Sequence, residues 1–322
     1  MTATASPQHR VVETNGIHMH VAEAGSGPPV VLLHGFPESW YSWRHQLMAL
    51  ADAGFHAVAP DQRGYGQTDR PEAIDAYSMF QLVGDVIGLL DALGEQRAVI
   101  VGHDWGAPVA WHTALFRPDR VRGVVGLSVP YRPRSNRPPL AIYRAAAGEN
   151  FYQIYFQEPG VAEADLGRNV RATITGMLYA ASGNSPSVPD MMIRPGLGMM
   201  GGMPMPDRLP DWLTEDDVGF YTSEFERTGF RGGLNWYRNS DRNWELTAAW
   251  AGAQVHVPAL YVVGDRDVVY HFPGGGQPMI NALPRFVPNL KQSVVLEGCG
   301  HWTQQERPDD VNRLLLEFLS GL

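Results

Sequence analysis

The residue with the clearest capacity for chemistry is Asp104, in the pentapeptide Gly102-His103-Asp104-Trp105-Gly106. An apolar segment, 97–101, precedes it and a helical pattern, 107–116, follows it, which predicts a sharp strand-to-helix turn. Glycines allow such a turn to present one side chain to a pocket. A carboxylate there can attack carbon and form an ester that water hydrolyses, whereas a serine attacking an alkyl carbon would form a stable ether. The alternative is an ordinary N-cap aspartate.

A histidine and two aspartates follow Asp104 in the order that hydrolysis of such an ester requires. His301 lies in Gly298-Cys299-Gly300-His301-Trp302, after the last predicted strand. An imidazole has a pKa suited to removing a proton from water at neutral pH. Asp265 and Asp267 directly follow another predicted strand, and either carboxylate can orient that imidazole. Spacing alone does not distinguish the two aspartates.

Short apolar, β-branched segments alternate with amphipathic ones along much of the chain. The predicted strands are 29–33, 56–60, 97–101, 121–129, 259–263 and 293–297, and the predicted helices are 43–51, 79–93, 107–116 and 309–319. This alternation indicates a mostly parallel central sheet flanked by helices on both faces. Near the N-terminus, Asn15-Gly16 predicts a β-hairpin. With the order nucleophile, acid, histidine, the whole resembles the α/β-hydrolase fold.

The alternation of strands and helices stops between about residues 130 and 257. We therefore predict a core formed by residues 1–130 and 255–322, with a helical lid, 131–254, inserted in it. Within the lid, the segment 182–210 holds six of the chain's twelve methionines, at positions 191, 192, 199, 200, 203 and 205. Flexible thioethers suit the wall of an adaptable apolar pocket, and a mobile surface connection is the alternative.

Two backbone groups are candidates for stabilising a negatively charged oxygen. In the α/β-hydrolase fold these donors lie after an early strand and directly after the nucleophile, which places them at Phe36 and Trp105. Loss of one such donor typically costs about 2.7–4 kcal/mol of transition-state stabilisation. The tight loop also predicts a cis peptide between Phe36 and Pro37.

Together these motifs resemble the epoxide hydrolases of the α/β-hydrolase fold, especially the hydrolase domain of the soluble epoxide hydrolases. Two lid segments carry the most specific likeness, Tyr155-Phe156-Gln157-Glu158-Pro159-Gly160 and Gly233-Leu234-Asn235-Trp236-Tyr237-Arg238-Asn239. In that family two lid tyrosines bind and protonate the epoxide oxygen, and the motif match assigns them to Tyr155 and Tyr237. The resemblance also favours Asp267 as the triad acid and His301 as the base.

The resemblance implies conversion of an apolar small-molecule epoxide and water to a vicinal diol, through an ester on Asp104. We expect Phe36, Trp105 and Trp302 to contact the substrate. No metal or organic cofactor is expected. A haloalkane or haloacid dehalogenase would share the fold and nucleophile, but halide is received by N–H donors rather than phenols. A non-catalytic small-molecule receptor on the same fold is the alternative from another class.

Composition excludes several other functions. The formal net charge is −9, which argues against a nucleic-acid partner. One cysteine, Cys299, leaves no internal disulfide. Residues 1–10 lack the apolar centre of a signal peptide, and no apolar run is long enough to span a bilayer. We expect a cytoplasmic protein without a membrane partner, and a homodimer is left open.

Overall fold

An eight-stranded sheet forms the centre of the protein. The computed structural model describes residues 6–272 and 274–322, and the strands run in the spatial order β1-β2-β4-β3-β5-β6-β7-β8. Their bounds are β1 Gln8–Thr14, β2 Ile17–Ala24, β3 Pro29–Leu33, β4 His56–Pro60, β5 Ala98–His103, β6 Val121–Leu127, β7 Ala259–Gly264 and β8 Leu290–Leu296. The predicted bounds of β3 and β4 match these, and the other predicted strands overlap theirs.

The sheet is antiparallel at one edge and parallel elsewhere. Strands β1 and β2 form the predicted hairpin, turned at Asn15 (φ 45°) and Gly16 (φ 76°), and β2 pairs antiparallel with β4. The remaining pairs are parallel. Every residue of β3, β5 and β7 is buried, as expected for strands covered on both faces. The predicted start of β8 at residue 293 was wrong, because Lys291 and Gln292 are polar and exposed on an edge strand and hide its beginning.

Three helices follow the first parallel strands and cover the sheet. They are α1 Arg44–Asp52, α2 Met79–Leu93 and α3 Gly106–Phe116, and the predicted bounds of α2 match. Leu47 of α1 packs in the cluster on one face of the sheet. Val86 of α2 and Trp111 of α3 pack in the cluster on the other. Parallel strands β3 and β5 therefore end in loops that lie between two covered faces.

Seven helices lie between β6 and β7, in the segment where the sequence shows no strand pattern. They are α4 Pro139–Ala147, α5 Tyr152–Tyr155, α6 Val161–Leu166, α7 Val170–Ala180, α8 Glu215–Thr228, α9 Arg231–Arg238 and α10 Ser240–Leu246. Their buried side chains, among them Ile154, Leu178 and Leu234, belong to the same apolar cluster as α2 and α3. The helices of this segment thus cover the face of the core that carries Asp104.

Four helices complete the chain: α11 Val268–His271, α12 Gly276–Ala282, α13 Thr303–Glu306 and α14 Pro308–Ser320. Leu314 and Leu315 of α14 pack with α1 on the same face of the sheet. Among the described residues, no helix is both long and apolar enough to cross a membrane. The prediction that the N-terminus is not a signal peptide concerns residues 1–10, of which the first five lie outside the described part.

Candidate active site

Asp104 lies on a sharp turn between β5 and α3. Its φ is +48°, a left-handed conformation that costs a non-glycine residue about 1–3 kcal/mol. The turn is possible because its neighbours carry no Cβ: one added at Gly102 would lie 2.0 Å from the carbonyl oxygen of Gly106, and one at Gly106 would lie 2.0 Å from that of Leu33. The strained turn holds the carboxylate toward the helices that lie between β6 and β7, with 15% of the side chain exposed.

The loop after β3 closes on this carboxylate from one side. The Phe36 N–H donates to Asp104 Oδ1 at 2.8 Å, and a Cβ on Gly35 would lie 2.3 Å from that of Asp104. The predicted cis peptide at Phe36-Pro37 is confirmed. We find no acceptor for the Trp105 N–H within the described residues, so this second predicted donor is free to bind a developing charge.

His301 joins Asp104 to a second carboxylate. Its Nε2 lies 3.4 Å from Asp104 Oδ2, and its Nδ1 lies 3.0 Å from Asp267 Oδ1. Asp267 follows β7, is fully buried and also accepts the Val269 N–H at 2.8 Å. Asp265, the alternative acid, makes no contact with His301; its backbone bonds to Leu296 and His271. The structure thus brings Asp104, His301 and Asp267 together, which the spacing alone did not decide.

His301 carries a charge opposite to that of the two carboxylates beside it. Burial alone would lower the pKa of His301, but the charges and hydrogen bonds of Asp267 and Asp104 raise it well above its usual value. Burial works in the opposite sense on Asp267, yet the imidazole lowers the pKa of that carboxyl group. The resting arrangement is therefore an imidazolium held between two carboxylates.

Tyr237 faces Asp104 from the helices that lie between β6 and β7. It lies on α9, which approaches the core closely because a Cβ on Gly232 would lie 2.1 Å from the carbonyl oxygen of Gly64. Its ring centroid is 5.0 Å from that of Trp105 and 5.6 Å from that of Phe36. Burial, with a smaller contribution from the charge of Asp104, raises its pKa well above 10. The phenol is thus neutral and remains a proton donor.

The second predicted tyrosine, Tyr155, is not part of this group. Its hydroxyl donates to Asp165 Oδ2 at 3.2 Å, and Asp165 also accepts the Met199 N–H at 2.7 Å. Burial and the Asp165 charge raise the pKa of Tyr155 to about 12. Tyr155 therefore ties α5 to α6 and to the methionine-rich segment, away from Asp104.

Tyr152, three residues earlier on α5, occupies the place predicted for Tyr155. It lines the cavities that contain Asp104 and Tyr237, and its ring centroid is 5.9 Å from that of Tyr237. Its hydroxyl accepts from Gln153 Nε2 at 2.8 Å, which leaves its own proton available. The prediction for Tyr155 is corrected to Tyr152: a four-residue helix carries one tyrosine at each end, and only the packing decides which one enters the cavity.

Comparison with known proteins identifies the family of this site. A family model described as alpha/beta hydrolase fold matches residues 28–308. Epoxide hydrolase A of Mycobacterium tuberculosis (strain ATCC 25618 / H37Rv) is 49% identical, over 98% of this chain and 98% of that protein. Epoxide hydrolase 1 of Siraitia grosvenorii is 46% identical, over 97% and 98%. The crystal structure of epoxide hydrolase A from Mycobacterium thermoresistibile matches with a TM-score of 0.93 at 48% identity, covering 98% of this chain and 99% of that one.

The chain belongs to the epoxide hydrolases of the α/β-hydrolase fold. This membership confirms the fold and the family predicted from the sequence. It also agrees with an aspartate, rather than a serine, at the turn after β5.

Two cavities meet at Asp104 in this epoxide hydrolase. The larger, of about 250 Å³, is mainly apolar and includes Trp105 and Trp111 in its wall. The smaller, of about 60 Å³, is lined by Phe36, Trp302 and methionines 177, 191, 199 and 203. We call the smaller one the methionine-lined cavity. Part of the methionine-rich segment therefore forms a pocket wall, while Met205 is 50% exposed at the surface.

Sequence reasoning missed two groups that support the site. Ser128 Oγ lies 3.0 Å from His301 Nδ1, beside Asp267, and no sequence signal marks that serine. Glu38 accepts the Gly35 N–H and lies 2.8 Å from His103 Nδ1. The His103 Nε2 lies 2.7 Å from the carbonyl oxygen of His301, so this ring connects Glu38 to the backbone of the predicted base.

Glu38 is fully buried inside the core. Burial alone would raise its pKa, but His103 lowers it to about 2. In the sequence, Glu38 could have been noticed as a single glutamate in the otherwise apolar loop after β3. Over residues 6–272 and 274–322, no group of three or more His, Cys, Asp or Glu side chains is arranged to hold a metal ion.

Proposed function

We propose that this protein hydrolyses an apolar epoxide to a vicinal diol, through a covalent ester on Asp104. The observation that carries the proposal is the pairing of a carboxylate on the core with two phenols on the lid, Tyr152 and Tyr237, across one cavity. The names of the relatives, which are epoxide hydrolases, support the same reaction. The apolar walls of both cavities favour an apolar substrate.

In the first half-reaction, ionised Asp104 attacks one epoxide carbon from the side opposite the C–O bond. The electrons of that bond move to the epoxide oxygen, which takes a proton from Tyr152 or Tyr237. The products are a hydroxyalkyl ester and a tyrosinate. A phenol lends itself to this step because an alkoxide is a poor leaving group in an apolar cavity and general-acid help is worth about 10²–10⁴-fold.

Ester formation also prepares the base. Esterified Asp104 has lost its negative charge, so one of the two carboxylates that raise the pKa of His301 disappears. His301 then releases a proton and the tyrosinate takes one up, so the net change is the transfer of one proton from the imidazolium to the tyrosinate. The imidazole becomes neutral only after the ester exists, when a base is needed.

In the second half-reaction, neutral His301 takes a proton from water as the water oxygen attacks the ester carbonyl carbon. The N–H groups of Phe36 and Trp105 stabilise the resulting oxyanion. Collapse of this intermediate expels the diol oxygen, which takes the proton from His301. The carboxylic acid formed at Asp104 returns its proton to His301, and the starting ion pair is restored.

The wider assignments belong to the same proposal. We place the core at residues 1–130 and 255–322 and the lid at 131–254, so that the lid supplies the acid and the core supplies the nucleophile and base. The single cysteine supports a reducing, cytoplasmic location. The homodimer that the sequence leaves open is decided by sedimentation equilibrium, since a dimer doubles the mass.

The test is His301→Gln mixed with a panel of terminal, trans-disubstituted and fatty-acid epoxides. This variant should open the epoxide but stall as the ester, because only the second half-reaction needs the base. Intact-mass measurement should show one adduct per chain, and peptide mapping should place it on Asp104. His256→Gln, an exposed histidine before β7, is the matched control and should turn over normally.

Other outcomes decide between this function and its rivals. Undiminished turnover by His301→Gln with no adduct would contradict the proposed role of the base. Chloride or fluoride release from haloalkanes or haloacids, without diol from any epoxide, would favour a dehalogenase. Tight epoxide binding by the unmodified protein, with neither adduct nor diol, would favour a receptor.

A further inference from the structure

The glutamate at the end of α13, Glu306, binds the backbone on both sides of His301. Its Oε2 accepts the Gly300 N–H at 3.0 Å, and its Oε1 accepts the Trp302 N–H at 3.0 Å. Oε2 also accepts the Gly183 N–H at 2.8 Å, from the segment that follows α7. One carboxylate therefore connects the two peptide groups that flank the predicted base with a third group from the lid side.

The backbone of His301 itself is held from the same two directions. Its N–H donates to the carbonyl oxygen of Ala181 at 2.8 Å, on the lid side. Its carbonyl oxygen faces His103 Nε2 at 2.7 Å and accepts the Thr303 N–H at 2.9 Å, on the core side. The position of the imidazole thus depends on contacts with both parts of the molecule.

The glycines at this contact show how close the two segments lie. A Cβ added at Gly183 would lie 2.2 Å from the carbonyl oxygen of Gly298, and one added at Gly300 would lie 2.3 Å from the nitrogen of Gly183. The segment Ala181–Gly183 and the loop before His301 therefore pack backbone against backbone. The adjoining residues Met177, Ala180 and Ala181 line the methionine-lined cavity, so its wall is continuous with the support of His301.

Only a carboxylate fits this arrangement of donors. Three N–H groups converge on Glu306, and an ionised carboxylate is an acceptor at both oxygens. An amide of the same shape has one accepting oxygen and one NH₂ group, so at least one N–H would face another donor. A buried donor left without an acceptor destabilises the local arrangement.

We propose that Glu306 is a positioning residue that holds His301 for the hydrolytic half-reaction. The inference rests on the proposed function. Asp104 is held independently, by its strained turn and by the Phe36 N–H, so formation of the ester does not need Glu306. Attack by water requires the imidazole within hydrogen-bond reach of that water. A misplacement of about 1 Å can cost roughly 10²-fold in rate.

The experiment separates the two half-reactions in Glu306→Gln and Glu306→Asp. Single-turnover mixing with an epoxide that the unmodified protein accepts is followed by rapid quenching and intact-mass measurement. We expect ester formation to change by less than about threefold and ester breakdown to slow by roughly 10–100-fold in Glu306→Gln. Glu306→Asp keeps a carboxylate of shorter reach and should recover part of the lost rate. Glu297→Gln, an exposed glutamate just before this loop, is the control and should match the unmodified protein.

The contrary outcomes are distinct. Equal slowing of both steps, or unchanged breakdown in Glu306→Gln, would overturn the role of Glu306 while the unmodified protein still forms and clears its ester. If Glu306→Gln does not fold, the test rests on Glu306→Asp. The proposal then requires that the ester forms in this variant at the rate of the unmodified protein and breaks down more slowly. No ester and no diol with the unmodified protein would instead refute the proposed function.

Discussion

The core side and the lid side of the catalytic cavity are held in different ways. On the core side, Asp104, Asp267 and His301 are fixed by hydrogen bonds and ion-pair contacts of 2.8–3.4 Å to backbone groups and to one another. On the lid side, Tyr237 is fixed mainly by aromatic packing, with ring centroids 5.0 Å away in Trp105 and Phe156. Packing positions a ring without using its hydroxyl, so the proton stays available for a substrate.

The two sides also differ in charge. The core side carries an imidazolium between two carboxylates, because the carboxylates raise the pKa of His301. The lid side is kept neutral, because burial raises the pKa of both Tyr152 and Tyr237 above the usual value. Under the proposed mechanism one face offers a nucleophile and the other a proton donor, and ring opening needs both at once.

The largest expected effect is on the rate of ester formation, which should depend on the hydroxyls of Tyr152 and Tyr237 and not on that of Tyr155. The double variant Tyr152→Phe/Tyr237→Phe should form the ester at least about 100-fold more slowly, since no phenol remains to protonate the epoxide oxygen. The matched control is Tyr155→Phe/Tyr237→Phe, which should be no slower than Tyr237→Phe alone. Stopped-flow or rapid-quench measurement of ester formation gives both rates. A greater loss on removing the Tyr155 hydroxyl than on removing that of Tyr152 would instead assign the second proton donor to Tyr155.

A smaller effect is expected on the pKa of His301, on the core side of the cavity. Asp104→Asn removes one carboxylate beside His301, as esterification does, so the pKa of His301 should fall toward its usual value. NMR titration of the imidazole measures this shift directly. Asp265→Asn is the control, because that side chain does not contact His301, and it should leave the titration unchanged. An unaltered His301 titration in Asp104→Asn would mean that ester formation does not prepare the base.

The same shift fixes how stability depends on pH. The pKa of His301 is raised in the folded protein, so its charged form contributes stability that is fully present below the unfolded value of about 6.5. That contribution is lost as the pH rises through the folded pKa. In Asp104→Asn the contribution should be smaller and its loss should be complete at a lower pH, because the folded pKa of His301 is lower. Urea unfolding at a series of pH values would detect both changes.

The sequence predicted the core side better than the lid side for a physical reason. Asp104 and His301 lie in loops that directly follow strands β5 and β8, and parallel strands bring such loops to one edge of the sheet. Spacing did not separate Asp267 from Asp265, because only one residue lies between the two carboxylates and the backbone conformation after β7 decides between them.

The lid could not be resolved in the same way. Tyr152 and Tyr155 lie on one short helix, three residues apart, and either fits the pattern of a cavity-facing side chain. What separates them is the hydrogen bond from Tyr155 to Asp165, a contact between two helices. Glu306 was equally invisible, since its role comes from three backbone N–H groups whose convergence only the folded chain reveals.

The most direct test of the account is a single turnover with excess protein in ¹⁸O-labelled water. If Asp104 is the nucleophile, the first diol should carry no label, because its new oxygen comes from the carboxylate. The label should instead be found in Asp104, so the peptide that contains Asp104 should be heavier by the exchange of one oxygen atom for ¹⁸O. Labelled diol in that first turnover, with no label in Asp104, would contradict the account.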